Sequence, residues 1–121
     1  MQFLSMIRIN ENSGKQPDER LMSDMGKLME EMMTAGVLLD TAGLMPTSAG
    51  KRLRLRDGKI SQTDGPFTET KEVIGGYAVL EAPSMREALA ASRRFLDVHG
   101  PGWDIECELR EIVRHPDGTC G

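Results

Sequence analysis

Apolar positions recur with different periods along the chain, and each period predicts an element. From Gln2 to Asn10, Phe3, Ser5, Ile7 and Ile9 share one side while Leu4 and Met6 take the other. That pattern predicts a strand covered on both faces and therefore central in a sheet. Glu11 to Gln16 has loop composition. Leu21, Met25, Leu28 and Met32 then fall at helical spacing, with Met22, Met29 and Met33 beside them, and predict an amphipathic helix of about five turns. Pro17, Asp18 and Glu19 suit its first turn and Gly36 its C-terminus. Val37 to Leu44 reads as a short extended piece that Pro46 stops. Arg52-Leu53-Arg54-Leu55-Arg56 alternates strictly, as a strand with one wet face does, and Asp57-Gly58 predicts a tight hairpin returning through Lys59-Ile60-Ser61.

After a turn cluster at Thr63 to Phe67, the segment Val73 to Glu81 is apolar on both faces except at Gly75-Gly76. Paired glycines inside a strand predict a bulge, or another backbone or a ligand approaching closely. Pro83-Ser84 opens a second helix, with Ser84 and Glu87 as a capping box. Ala88, Leu89, Ser92, Phe95 or Leu96, and His99 form its inward stripe, and Gly100-Pro101-Gly102 ends it. A last strand is expected from Asp104 to Arg114, with Ile105, Cys107, Leu109 and Val113 on one side.

This order predicts an α+β, ferredoxin-like split βαβ sandwich with a β-hairpin insertion and both helices on one face of the sheet. One domain is expected over residues 1–115, with a flexible tail over 116–121. The sheet's other face, assigned Leu4, Met6, Ile74, Ala78 and Leu80, is too apolar for water. A second copy is its simplest cover, so a homodimer packed sheet to sheet is expected.

Composition narrows the function. The 121 residues carry 15 Lys and Arg against 19 Asp and Glu, a net charge of −4, which leaves no electrostatic footprint for nucleic acid or an anionic membrane. No apolar run reaches the roughly 18 residues of a membrane span, and Met1 to Met6 lacks the basic region of a signal peptide, so a cytoplasmic location is expected. The 2 cysteines, Cys107 and Cys120, are too few for a disulfide scaffold, and Cys107 sits in a core-facing pattern where thiols are inert. Neither His99 nor His115 joins a pattern with zinc spacing, and the methionines of the first helix follow its core stripe, so no metal site is expected. Phosphate loops, dinucleotide fingerprints and nucleophile elbows are absent, and any chemistry is expected to run without a cofactor.

Thr63-Asp64-Gly65-Pro66-Phe67-Thr68-Glu69-Thr70-Lys71-Glu72, followed by Ile74-Gly75-Gly76-Tyr77, resembles the signature of the YCII-related family, and more narrowly the branch named for its Asp-Gly-Pro-Phe (DGPF) motif. The resemblance runs to His115. It implies a dimeric α/β barrel of ferredoxin-like subunits and a polar pocket with an acidic residue, here Asp64. The histidine found in other branches near the end of the first strand has no counterpart, since Arg8-Ile9-Asn10-Glu11 occupies that region. The resemblance also implies an association with extracytoplasmic-function sigma factors.

Asp64 is the candidate general acid or base, its pKa raised by a desolvating pocket. Its structural alternative is an Asx-turn carboxylate bonded to backbone two residues on. Lys71 is placed to pair with Asp64 or to neutralise an anionic substrate, or else is a solvated charge before a strand. Tyr77 orients a ligand or simply packs. Arg54, with Arg52 and Arg56, grips a phosphate or carboxylate, or guards an edge strand by charge. Two functions are consistent with these residues: a homodimer that binds a small molecule, with cofactor-independent proton transfer or elimination at Asp64, or a non-enzymatic regulatory module whose hairpin binds a protein partner in sigma-factor-dependent transcription.

Overall fold

The computed structural model describes residues 1–114; the expected tail over 116–121, and with it Cys120, lies outside them. The elements run β1 (Gln2–Ile9), α1 (Glu19–Thr34), β2 (Leu38–Gly43), a single 3-10 turn (Thr47–Ala49), β3 (Lys51–Arg56), β4 (Lys59–Asp64), β5 (Val73–Glu81), α2 (Met85–His99) and β6 (Glu106–Glu111). The expected elements all form. Thr63 and Asp64, expected in a turn, instead extend β4.

β2, β5, β1 and β6 pair in that order into a four-stranded antiparallel sheet, the strand order of a ferredoxin-like split βαβ. Both helices lie on one face. Phe3 and Leu80 are fully buried there, against Leu28 and Met32 of α1 and Ala88, Ala91 and Phe95 of α2. The helix ends follow their sequence. Asp18 is the N-cap of α1 and accepts from the Leu21 N–H at 2.8 Å, which places Pro17 just ahead of the helix rather than inside it. Gly36, at φ +75°, donates to the Met33 carbonyl while Val37 donates to that of Met32, a Schellman ending. Met25, Met29 and Met32 pack inward and Met22 and Met33 are exposed; on α2, Leu89 is exposed and Ala91 takes its place. A polar seam crosses this core: the Ser92 hydroxyl donates to buried Ser5, whose Oγ lies 3.0 Å from Cys107 Sγ.

One expectation reverses at the sheet. Ala78 and Leu80 face the helices, opposite Ser5 and Phe3, and Tyr77 and Val79 join Leu4, Met6 and Ile74 on the open face. The cause is a bulge: Ile7 pairs with Gly76 but Arg8 pairs with Ile74, so Gly75 is an extra residue and the alternation flips across it. A strict period of two through the diglycine misassigns every residue beyond it.

The hairpin β3–β4 stands apart as its own two-stranded sheet, turning through Asp57 and Gly58 at φ +52° and +76°. Only one wet face was expected. Both are wet, because no other element packs on Leu53, Leu55 and Ile60, which share a face and are 72%, 71% and 72% exposed. Among the described residues no helix is long and apolar enough to cross a membrane.

Candidate functional site

The Gly75 bulge and the end of β1 shape a cleft. A Cβ on Gly75 would come within 2.5 Å of Ile9 Cδ1, and one on Gly76 within 3.0 Å of the Ala42 carbonyl oxygen, so the glycines are what let three strands close up here. Beside them, between sheet and helices, lies a cleft of about 440 Å³ walled by Ile7, Ile9, Met25, Met29 and Phe95, with Ser5, Thr41 and His99 as its inward polar side chains; Tyr77 also borders it, but its side chain is on the open face of the sheet. Thr41 Oγ1 donates to the Tyr77 carbonyl at 2.9 Å and Ser5 is held in the core seam. His99 Nδ1 lies 2.8 Å from the Phe95 carbonyl. A carbonyl only accepts, so Nδ1 carries the hydrogen and Nε2 is left as an acceptor. The ring also packs edge-on against Trp103 at 5.4 Å, and Lys15 Nζ sits over that indole.

Ile9 and Gly75 also wall a second, wider groove of about 970 Å³ that continues past the end of β1 to Glu11, Lys15, Pro66 and Trp103. Glu11 fixes its rim. Its carboxylate accepts from the hydroxyl of Thr47 and from the Thr47 backbone N–H, the hydroxyl most of all holding the Glu11 carboxyl below its usual range. Thr47 Oγ1 in turn accepts from the Phe67 N–H at 3.4 Å.

Through that bond the Asp-Gly-Pro-Phe segment is tied to the end of β1, and Asp64, Gly65 and Phe67 each have a visible task. Asp64 ends β4, accepting from Lys51 Nζ at 2.8 Å and Gln62 Nε2 at 3.0 Å. Gly65 donates to the Gly50 carbonyl and crosses the Thr47 backbone so closely that a Cβ would overlap its carbonyl oxygen. Phe67 lies under the Arg52 guanidinium, 3.8 Å from its ring centroid, and Arg52 also pairs with Glu69. The Asp64 side chain is 66% exposed, and Lys51, then Gln62, hold its carboxyl below the ordinary aspartate range, the reverse of the rise that a desolvating pocket produces. Nor does it form an Asx-turn, since residue 66 is proline and has no N–H to give.

The other anticipated residues are dispersed. Arg54 is exposed in the middle of β3, and Lys71 is exposed in the loop before β5 while Asp64 is paired to Lys51 instead. Tyr77 is on the open sheet face, its hydroxyl 3.5 Å from Asp40 Oδ2. Among the described residues no hydrogen bond or ion pair joins Asp64 to Lys71, Tyr77 or Arg54, and no group of three or more His, Cys, Asp or Glu is placed to hold a metal ion. Glu11, Thr47 and the orientation of His99 escape the sequence. The one available signal was the place of His99 on the inward stripe of α2, one turn beyond Phe95.

The sequence is 39% identical over 79 residues to an uncharacterised protein of Rhizobium meliloti (strain 1021), a match covering 65% of this chain and 64% of that one. The family model of the YCII-related domain matches residues 1–95, which include β1, the bulge, the Asp-Gly-Pro-Phe turn and most of α2. With that span matched, the chain belongs to the YCII-related family.

Proposed function

We propose that this protein is a small-molecule-binding homodimer whose ligand occupies the cleft between sheet and helices. The supporting observation is the cleft itself: about 440 Å³, apolar on most of its wall, with a few convergent polar groups, as ligand sites are built. The apolar centre of the open sheet face, Leu4, Met6, Tyr77 and Val79, supports pairing of two copies. In this reading Asp64 holds the hairpin base to Lys51 and is not the proton acceptor, because its carboxylate is exposed and already engaged.

The test is a thermal-shift panel of small metabolites on wild type, Met29→Trp and Asp64→Asn. A ligand that raises the melting temperature of wild type and Asp64→Asn, but not of Met29→Trp with its filled cleft, is the expected result. A ligand whose effect vanishes only in Asp64→Asn returns the site to the hairpin base. The bare leucines of the hairpin favour a second reading, a module that presents Leu53, Leu55 and Ile60 to a protein partner. That reading requires lysine at these positions to abolish partner binding while leaving the cleft untouched.

A further inference from the structure

The walls of the cleft restrict what it can hold. No Asp, Glu, Lys or Arg lines it. A charged ligand would therefore lose its hydration without gaining a counter-charge, which is strongly unfavourable. Of the three polar side chains, Thr41 is committed to the Tyr77 carbonyl and Ser5 to Cys107 and Ser92. His99 alone of these carries a basic nitrogen, because the lone pairs left on the Thr41 and Ser5 hydroxyls are only weakly basic. Its Nδ1–H is bound to the Phe95 carbonyl, which turns the opposite edge of the ring, with Nε2, away from its own helix. Trp103 holds the ring from one side, so the acceptor is oriented before any ligand arrives.

We infer that the cleft takes an uncharged, largely apolar small molecule bearing one weakly acidic C–H or O–H, and that His99 Nε2 accepts that proton. The step balances within the pair: the ligand's hydrogen moves to Nε2 as a proton, its bonding electrons stay on the ligand, and the imidazolium returns the proton to product or water. This inference rests on the cleft being the binding site and adds the ligand's charge class and the group that meets it. It also differs from an Asp64 mechanism in its reacting residue.

The probe is 5-nitrobenzisoxazole, a neutral, flat molecule with one acidic C–H. Loss of that proton to a base turns its C=N bond into a nitrile as the N–O bond breaks, and releases a coloured cyanophenolate. Wild type should release it faster than free imidazole at the same concentration. His99→Gln, whose amide can still donate to the Phe95 carbonyl, should lose about a hundredfold or more of the rate, in line with general-base contributions. Asp64→Asn should match wild type, and Met29→Trp should be inactive. If His99→Gln unfolds, His99→Phe, which keeps a ring against Trp103, replaces it. Full activity in the His99 variant with none in Met29→Trp overturns the role of His99 but leaves the cleft. Equal activity in Met29→Trp overturns the cleft reading itself. A wild type no faster than imidazole overturns the inference, as does a loss confined to Asp64→Asn.

Discussion

Glu11 is a small residue-scale device with a wide reach. It closes a chain of bonds from the Phe67 N–H through Thr47 to the end of β1, and so ties the Asp-Gly-Pro-Phe turn to the rim of the groove. Because those bonds lower its folded pKa, they stabilise the protein above the unfolded value and are lost as pH falls through the still lower folded one. Glu11→Gln should therefore melt below wild type at neutral pH, and the gap should narrow as pH drops beneath the ordinary glutamate value of about 4.3. A gap constant from pH 7 down to 3 would mean that the carboxylate charge contributes nothing. None of this shows in the sequence, where Glu11 and Thr47 are both unremarkable loop residues 36 apart. Asp64 was legible as a motif residue, but its partner was not. Ending β4 at Ser61 hides the last hairpin pair, and that pair is Lys51 with Asp64.

At the scale of elements, glycines explain both what the sequence makes plain and what it hides. Gly36 and Gly58 sit where a positive φ is needed, at a helix end and a hairpin turn, and local sequence announces such places. Gly75 announces only that something irregular occurs. Whether it adds a residue to β5 depends on its pairing with β1, a non-local fact, and that alone sent Ala78 and Leu80 to the wrong face. Gly65 is more demanding still, because the obstacle to a side chain there is the backbone carbonyl of Thr47 from another part of the chain. Gly65→Ala must displace either the 3-10 turn or the base of the hairpin, at a cost of about 2–3 kcal/mol by analogy with overpacked sites. Urea unfolding measures this directly. A loss under about 0.5 kcal/mol, the range of ordinary surface changes, would show the crossing to be loose.

At the scale of the whole molecule the sheet has two unlike sides, and they can be perturbed separately. The cleft lies on the helix side of the sheet and is built from residues of one chain. The open side carries Leu4, Met6, Tyr77 and Val79 at its centre, with the Arg8–Glu108 pair at 3.4 Å toward the β6 side and Asp40 on the β2 side. An apolar centre with a polar margin suits a self-complementary two-fold contact, in which each copy covers the other. Because side chains alternate, a substitution at Met6 alters the open face while Ser5 and Ile7 keep their places on the other. Met6→Arg should therefore turn a dimer into a monomer by light scattering, since it puts a long guanidinium from each copy into the apolar centre, where its cross-strand neighbour Glu108 is already paired with Arg8. The same monomer should still release cyanophenolate at close to the wild-type rate. A Met6→Arg protein that stays dimeric would move the interface elsewhere, to the bare face of the hairpin with Leu53, Leu55 and Ile60. A monomer that has lost turnover would mean that the second copy braces the cleft through the sheet. Ile7 and Ile9, which wall the cleft from the strand that carries Met6, would then be the residues through which the brace acts.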